Sequence, residues 1–311
     1  MKILVTGASG HFGGEAARSL LEKIDPADLI LMTRKPEKLA DFAARGCEVR
    51  YGDFEVPESL EAAARGAEKM LLISGMMVGH RVGQHGRAID AAKRAGVGHI
   101  VYTSYIGATA DNRALIAQDH YGTEQLLQAS DVAWTALRDG MYADSMVDAA
   151  APVAIRTGVY LSASGDGQVS FIDRSECVAS AVAVLTGEGH ENRVYNITGD
   201  ELWSFRAFAG LLAEVTGVAI EYRLISDEDL YAHFDAMGIP RDASKEFNVD
   251  GYAWCSDDMV SYEQALRAGH FAVVSDDVAR LTGRKPRSFR AFVESRADWL
   301  KELAAQSRFP D

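Results

Sequence analysis

The segment Leu4-Val5-Thr6-Gly7-Ala8-Ser9-Gly10-His11-Phe12-Gly13-Gly14 joins a short apolar run to a helix-compatible stretch through closely spaced glycines. Residues of these types in this order can hold a phosphate, because free backbone N–H groups at a helix N-terminus point at the anion and the helix dipole favours negative charge. Gly7 permits a tight turn, Gly10 lets the backbone approach a pyrophosphate, and Gly13 allows the helix to pack closely on the strand. Ser9, His11 and Phe12 lie between them and join the candidate cofactor-binding set. The spacing is G-x-x-G-x-x-G, distinct from the G-x-G-x-x-G of many dehydrogenases.

Such a cradle needs a strand before it, a helix after it and a sheet to fix both. Lys2–Thr6, Asp28–Thr33, Glu48–Tyr51, Lys69–Ser74, His99–Ser104 and Ala133–Arg138 read as strands. Between them Glu15–Lys23, Glu37–Arg45, Glu58–Arg65, Val82–Arg94 and Gln118–Ala129 carry helical spacing, with Gly96 as a helix stop. This alternation predicts an α/β fold, a Rossmann-type doubly wound parallel sheet over residues 1–150. Beyond residue 150 the alternation fades into a mixed pattern. Val159–Ser162, Val194–Ile197 and Ile220–Leu224 read as strands, and Ser175–Leu185, Phe205–Val215, Asp227–Met237 and Arg287–Lys301 as helices. Residues 151–311 are therefore expected to form a smaller mixed α/β substrate domain, with segments returning to the sheet. Phe247–Tyr262 reads as a loop, over the site or on the surface.

The strand ends select the cofactor. An acidic residue about twenty positions past the glycines would bind the adenosine ribose of NAD. The second strand ends Leu31-Met32-Thr33-Arg34-Lys35, without a carboxylate. Arg34 can pair with a ribose 2′-phosphate through its planar fork and Lys35 can add charge, which predicts NADP(H), with NADPH preferred over NADH. The alternative for Arg34 is an exposed strand-end cation. Asp53 and Phe54 close the third strand near the adenine edge, where Asp53 is either a ligand or a turn carboxylate. Ser74, Gly75 and Met76 after the fourth strand, and Thr103 and Ser104 in the fifth, fall at carboxyl ends where a doubly wound sheet binds ligand. Met76 can line an apolar wall or fill a gap in the core.

Composition narrows the remaining classes. The chain has 311 residues, 48% hydrophobic and 25% charged, enough for one large or two modest domains with a substantial core. A formal net charge of −13 opposes general affinity for nucleic acid or an anionic membrane. The chain has no apolar run of membrane-spanning length, no signal pattern and only three cysteines without ligand spacing, so a cytoplasmic protein is expected. No metal site is expected, since His80 and His85 are five apart and do not share a helix face. The oligomeric state, monomer or dimer, stays open.

The cradle, Thr33-Arg34-Lys35-Pro36, Gly52-Asp53-Phe54, Ala91-Ala92-Lys93-Arg94-Ala95-Gly96-Val97, Tyr102-Thr103-Ser104 and Leu137-Arg138-Asp139-Gly140-Met141-Tyr142 together resemble the NmrA-like branch of the atypical short-chain dehydrogenases/reductases. Val194-Tyr195-Asn196-Ile197-Thr198-Gly199 and Leu281-Thr282-Gly283-Arg284-Lys285-Pro286 extend the likeness over nearly the whole chain. Within the branch the chain is most similar to bacterial type-2 NAD(P)H:quinone oxidoreductases and triphenylmethane reductases. The usual Tyr-x-x-x-Lys pair of the wider family is absent. In its place stands Asp119-His120-Tyr121-Gly122-Thr123-Glu124-Gln125, with the His-x-x-x-Glu pattern of the quinone reductases.

These features imply an oxidoreductase that delivers hydride to a flat conjugated acceptor such as a quinone, with a small aromatic molecule as its partner. A quinone can draw its proton from water and a cationic dye needs none, so hydride transfer can proceed by proximity alone. His120 is either a proton donor or a histidine tied to Glu124 on the helix surface. Tyr105 and Tyr142 are candidate donors, stacking walls or ordinary half-buried aromatics, and Arg138 is a substrate-orienting group or a local salt bridge. Two alternatives remain: a dinucleotide-binding redox sensor without turnover, and a reductase of an aryl ether, lignan or carbonyl compound, which requires a true acid.

Overall fold

Ile3-Leu4-Val5 and Leu29-Ile30-Leu31-Met32 are apolar without alternation, the pattern of strands covered on both faces. The computed structural model, which describes residues 1–243 and 254–307, buries every residue of the two strands they form, β1 (Ile3–Val5) and β2 (Leu29–Thr33). Helix α1 (His11–Leu20) joins them. The chain continues through α2 (Ala40–Ala44), β3 (Glu48–Tyr51), α3 (Pro57–Ala64), β4 (Lys69–Leu72), α4 (Arg81–Ala95), β5 (His99–Tyr105), α5 (Leu115–Gln128) and β6 (Ala133–Asp139).

A seven-stranded sheet results, ordered β3-β2-β1-β4-β5-β6 with Arg193–Ile197 as its last strand. The pairings of β1 with β2 and β4, of β2 with β3, and of β4 with β5 are all parallel. The strand order reverses between β1 and β4, and a doubly wound sheet opens its ligand crevice at such a point, outside the carboxyl ends. On one face Leu4, Ile30, Met70, Leu72 and Ile100 from the sheet meet Leu60, Ala63, Ala88, Ile89 and Ala92 from α3 and α4. The Rossmann-type expectation holds.

The chain divides into two compact units, the first comprising Met1–Ala110, Ala117–Arg138 and Cys177–Tyr195, the second Asp111–Ile116, Asp139–Glu176 and Asn196–Asp311. The expected division at residue 150 falls inside the helix Ala143–Thr157, whose buried Val147 and Ala151 make that helix one packing element. The second unit holds short two-stranded ribbons, Phe171–Ile172 with Met141–Tyr142, Trp203–Ser204 with Gln168–Val169, and Glu221–Leu224 with Val159–Ser162. Aromatic packing fills it, with the Phe171 and Phe289 rings stacked at 4.0 Å.

Several boundaries shift. The first helix begins at His11 instead of Glu15, because extended Gly10 caps it and the two glycines beyond lie inside the helix. Glu37–Arg45 divides into a 3-10 turn, Pro36–Leu39, and α2. Arg287–Lys301 becomes Phe289–Glu294 and Ala297–Ser307. Of the expected loop Phe247–Tyr262, residues 247–253 lie outside the described residues, and the part from Ser256 onward is helical to Arg267.

Gly13 carries the closest approach. A Cβ there would lie 2.5 Å from the Gly7 carbonyl oxygen and 2.8 Å from the Ala8 Cα, while Gly7 itself has a φ of +59°. A Gly13→Ala chain should therefore lose about 1–3 kcal/mol of stability and its dinucleotide affinity together, measured by urea unfolding and by ligand titration. Unchanged values for both would contradict this packing.

Candidate functional site

The cradle is fastened from below by its own backbone. Thr6 N–H donates to the Leu71 carbonyl at 3.0 Å, Ala8 N–H to the Met32 carbonyl at 3.0 Å, and Gly10 N–H to the Gly7 carbonyl at 2.9 Å. Ser9 Oγ and Thr33 Oγ1 share a hydrogen bond of 2.7 Å, which ties the turn to the end of β2. Gly7, Ser9, Gly10 and His11 are exposed, whereas Phe12 turns into the core. No side chain caps α1 at Gly10, and the helix dipole there favours an anion. This arrangement fits a pyrophosphate, and the missing Cβ of Gly13 is what brings helix and turn together.

Arg34 and Lys35 are exposed beside the cradle, where β2 ends, and no acidic side chain precedes them in that strand. Asp53 Oδ1 accepts the Glu55 N–H at 3.0 Å, so one carboxylate oxygen holds a turn. The half-buried Phe54 ring packs on the α3–α4 core and meets His85 edge-on at 5.9 Å.

Past β4 the structure departs from the simple expectation. Ser74 N–H donates to Thr103 Oγ1 and Gly75 N–H to His85 Nε2, each at 2.9 Å. Ser104 Oγ donates to Glu124 Oε1 at 2.6 Å. Thr103 and Ser104 are thus buried side chains with internal partners, supporting the strand ends from beneath, while Ser74 and Gly75 are half-buried and Met76 is exposed.

His120 is neither a surface histidine nor an open proton donor. Its ring is 3% exposed and has both nitrogens occupied, Nε2 at 3.2 Å from Arg81 NH1 and Nδ1 at 2.7 Å from Tyr102 Oη. Arginine only donates, so Nε2 accepts and Nδ1 carries the proton toward Tyr102. Burial first, then the Arg81 and His85 charges, hold its pKa well below the ordinary histidine value. The fully buried His85 has the same tautomer: Nε2 accepts from Gly75, and Nδ1 donates to Thr123 Oγ1 at 2.9 Å. Thr123 passes its own proton to the Asp119 carbonyl at 2.8 Å. Burial and the Arg81 charge push His85 down to about 3. Burial likewise raises the Tyr102 phenol well above its ordinary value. A chain of neutral imidazoles and hydroxyls, with the Arg81 cation at one end, lies under the strand ends.

Glu124 does not meet His120. It is buried and takes Arg138 through Nε at 2.9 Å and NH2 at 2.6 Å, which realises the salt-bridge alternative for Arg138. The Tyr105 ring stacks on His120 at 6.0 Å. In the second unit, Tyr142 donates its hydroxyl to Asp139 Oδ2 at 2.7 Å beneath the Arg174 guanidinium. All three cysteines are buried, and burial pushes the Cys255 thiol up to about 11, away from nucleophilic use.

Sequence reading missed Arg81, His85, Tyr102 and Thr123 as members of the site's foundation, and paired Glu124 with His120 where the fold gives it Arg138. A signal was present in the short run of polar residues at helical spacing on α5, Asp119, Thr123 and Glu124, all of which the fold buries.

Residues 7–183 match the family described as NAD(P)H-binding. The chain is 31% identical to the NAD(P)H azoreductase of Xenophilus azovorans, over 95% of this chain and 98% of that one. Among solved structures, the NADPH-dependent quinone oxidoreductase QOR2 of Escherichia coli complexed with NADPH is similar with a TM-score of 0.85 and 32% identity, covering 94% of this chain and 99% of that one. The Citrobacter sp. triphenylmethane reductase complexed with NADP(H) has a TM-score of 0.79 and 30% identity, covering 99% and 100%.

The buried imidazoles make stability depend on pH. In the unfolded chain each binds a proton near pH 6.5, but in the fold each stays neutral, so the unfolded state takes up more protons below that value. Stability is then full above about pH 6.5 and falls toward the folded pKa of His85, by about 1.4 kcal/mol per pH unit for each ring. Urea unfolding of wild type and His85→Gln between about pH 7 and 5 should show a shallower loss in the variant. Parallel losses would contradict a neutral His85.

Proposed function

The chain belongs to the NmrA-like group of NAD(P)H-binding reductases, and on that premise we propose that it transfers hydride from NADPH to a flat, conjugated, electron-poor acceptor such as a quinone. Gly7, Ser9, Gly10, His11 and Gly13 would hold the pyrophosphate against the N-terminus of α1, with Phe12 anchoring the first turn. Arg34 and Lys35 would take the 2′-phosphate, with Asp53 and Phe54 at the adenosine edge. Ser74, Gly75 and Met76 would border the nicotinamide half, supported by Thr103 and Ser104. When bound, the dinucleotide supplies the hydride.

The observation that carries the acceptor class is the closure of His120 as a buried neutral ring, 3% exposed and bonded at both nitrogens. A carbonyl or aryl-ether substrate needs an acid at the reacting oxygen, and His120 has no proton to give there. Quinones and cationic dyes tolerate that absence, since water can protonate the one and the other requires no proton. What the chain would contribute is proximity and orientation, with Met76 and Tyr105 as walls for the acceptor. The azoreductase, quinone reductase and dye reductase similarities support an acceptor of this kind.

Two measurements test the reading. Purified protein should consume NADPH rapidly and saturably with quinones or cationic dyes and slowly with aryl ketones; tight NADPH binding without consumption of any acceptor would favour a sensor instead. Arg34→Ala should raise the Kd for NADPH by about 10- to 100-fold, the worth of a charged hydrogen bond, and leave that for NADH within about twofold. Equal weakening of both cofactors would remove Arg34 from the 2′-phosphate.

A further inference from the structure

We infer that His85 is a positioning residue for the nicotinamide half of the cofactor, acting through the Gly75 peptide; this rests on the reductase reading above. Strand β4 ends at Leu72, and the next amides leave the sheet ladder together. Ile73 N–H donates to Thr6 Oγ1, Ser74 N–H to Thr103 Oγ1 and Gly75 N–H to His85 Nε2, each at 2.9 Å. Side chains from the turn just after β1, from β5 and from α4 thus replace the lost backbone partners, around the point where the strand order reverses.

The three acceptors differ in what they impose. A threonine hydroxyl accepts over a broad range of directions and can rotate. The imidazole lone pair of His85 lies in the ring plane, and it exists only while Nε2 is unprotonated. The ring has little freedom of its own: Nδ1 is bonded to Thr123, Phe54 meets it edge-on at 79°, and Tyr102 meets it at 5.3 Å and 65°. Thr123 is itself bonded to the Asp119 carbonyl, and Tyr102 to His120. The direction of the Gly75 peptide is therefore set by a rigid group anchored on α4 and α5.

Gly75 is also hemmed on its α4 side, where a Cβ would lie 2.7 Å from Gln84 Oε1. Gln84 in turn donates to Glu55 Oε1 at 2.8 Å. Burying an imidazole completely to accept one loop amide carries a desolvation cost that a third threonine would avoid. The return is a loop of fixed shape at the crevice of the sheet, where an error of about 1 Å in the placement of reacting groups can cost about 100-fold in rate.

The test compares NADPH with 2′-phospho-ADP-ribose, which keeps the adenosine, phosphates and ribose but lacks nicotinamide. In calorimetric titrations His85→Leu should raise the Kd for NADPH by about tenfold or more, leave that for the fragment within about twofold, and increase the deuterium isotope effect on turnover with [4-2H]NADPH. His85→Gln, which offers an amide oxygen, should recover most of the NADPH affinity. If the leucine variant does not fold, Thr123→Val, which releases Nδ1, should show the same split between the two ligands. Equal effects on NADPH and fragment, no effect on either, or a glutamine variant no better than leucine would overturn the assignment. Wild-type protein that binds neither ligand would instead remove the cofactor reading itself.

Discussion

A parallel sheet buried on both faces leaves its central strands no side chain with which to meet a ligand. Every residue of β1 and β2 is enclosed, so recognition is confined to the turns at the carboxyl ends. Those turns inherit a second demand from the same burial. Each amide that leaves the ladder inside the protein needs a new acceptor, or its desolvation remains uncompensated. The cradle meets this demand with the Leu71 and Met32 carbonyls, and the segment after β4 meets it with Thr6, Thr103 and His85. The binding surface and the buried polar groups beneath it are two sides of one requirement.

Neutrality is how the buried groups satisfy it. Arg81 is the cation of the set, and its side chain meets His120 Nε2 at 3.2 Å. Two imidazoles, a phenol and a threonine then pass defined protons from donor to acceptor without adding charge. Where charge does appear under the strand ends, at Glu124, a bidentate arginine and a serine hydroxyl compensate it. A protonated His85 would turn a donor against the Gly75 N–H, so the low pKa of this ring and the shape of the loop are aspects of the same contact.

Much of the fold was legible in the order of residues. Glu48–Tyr51 and Val159–Ser162 were bounded correctly from composition, and Gly96 ends α4 in a left-handed conformation at φ +83° as a helix stop should. The glycine cradle could be read because its constraint is local. The relay could not, because Arg81, His85, Tyr102, Thr123 and His120 come from α4, β5 and α5 and acquire meaning only when these pack. His120 and Glu124, one helical turn apart, suggested a pair; the fold sends one toward Tyr102 and the other toward Arg138. Ser256–Arg267 was hidden for another reason: its acidic first turn, Asp257 and Asp258, resembles a loop, and its buried apolar residues Val260, Ala265 and Leu266 are few.

The central claim is that hydride reaches an acceptor without help from a side-chain acid on α5. Single-turnover oxidation of NADPH by a naphthoquinone, followed by stopped flow in H2O and D2O with NADPH and [4-2H]NADPH, addresses it most directly. A primary isotope effect from the labelled cofactor with a solvent isotope effect near unity is the predicted result. A large solvent isotope effect that disappears in His120→Asn would place a proton donor where the structure has a closed, neutral ring, and would contradict the account.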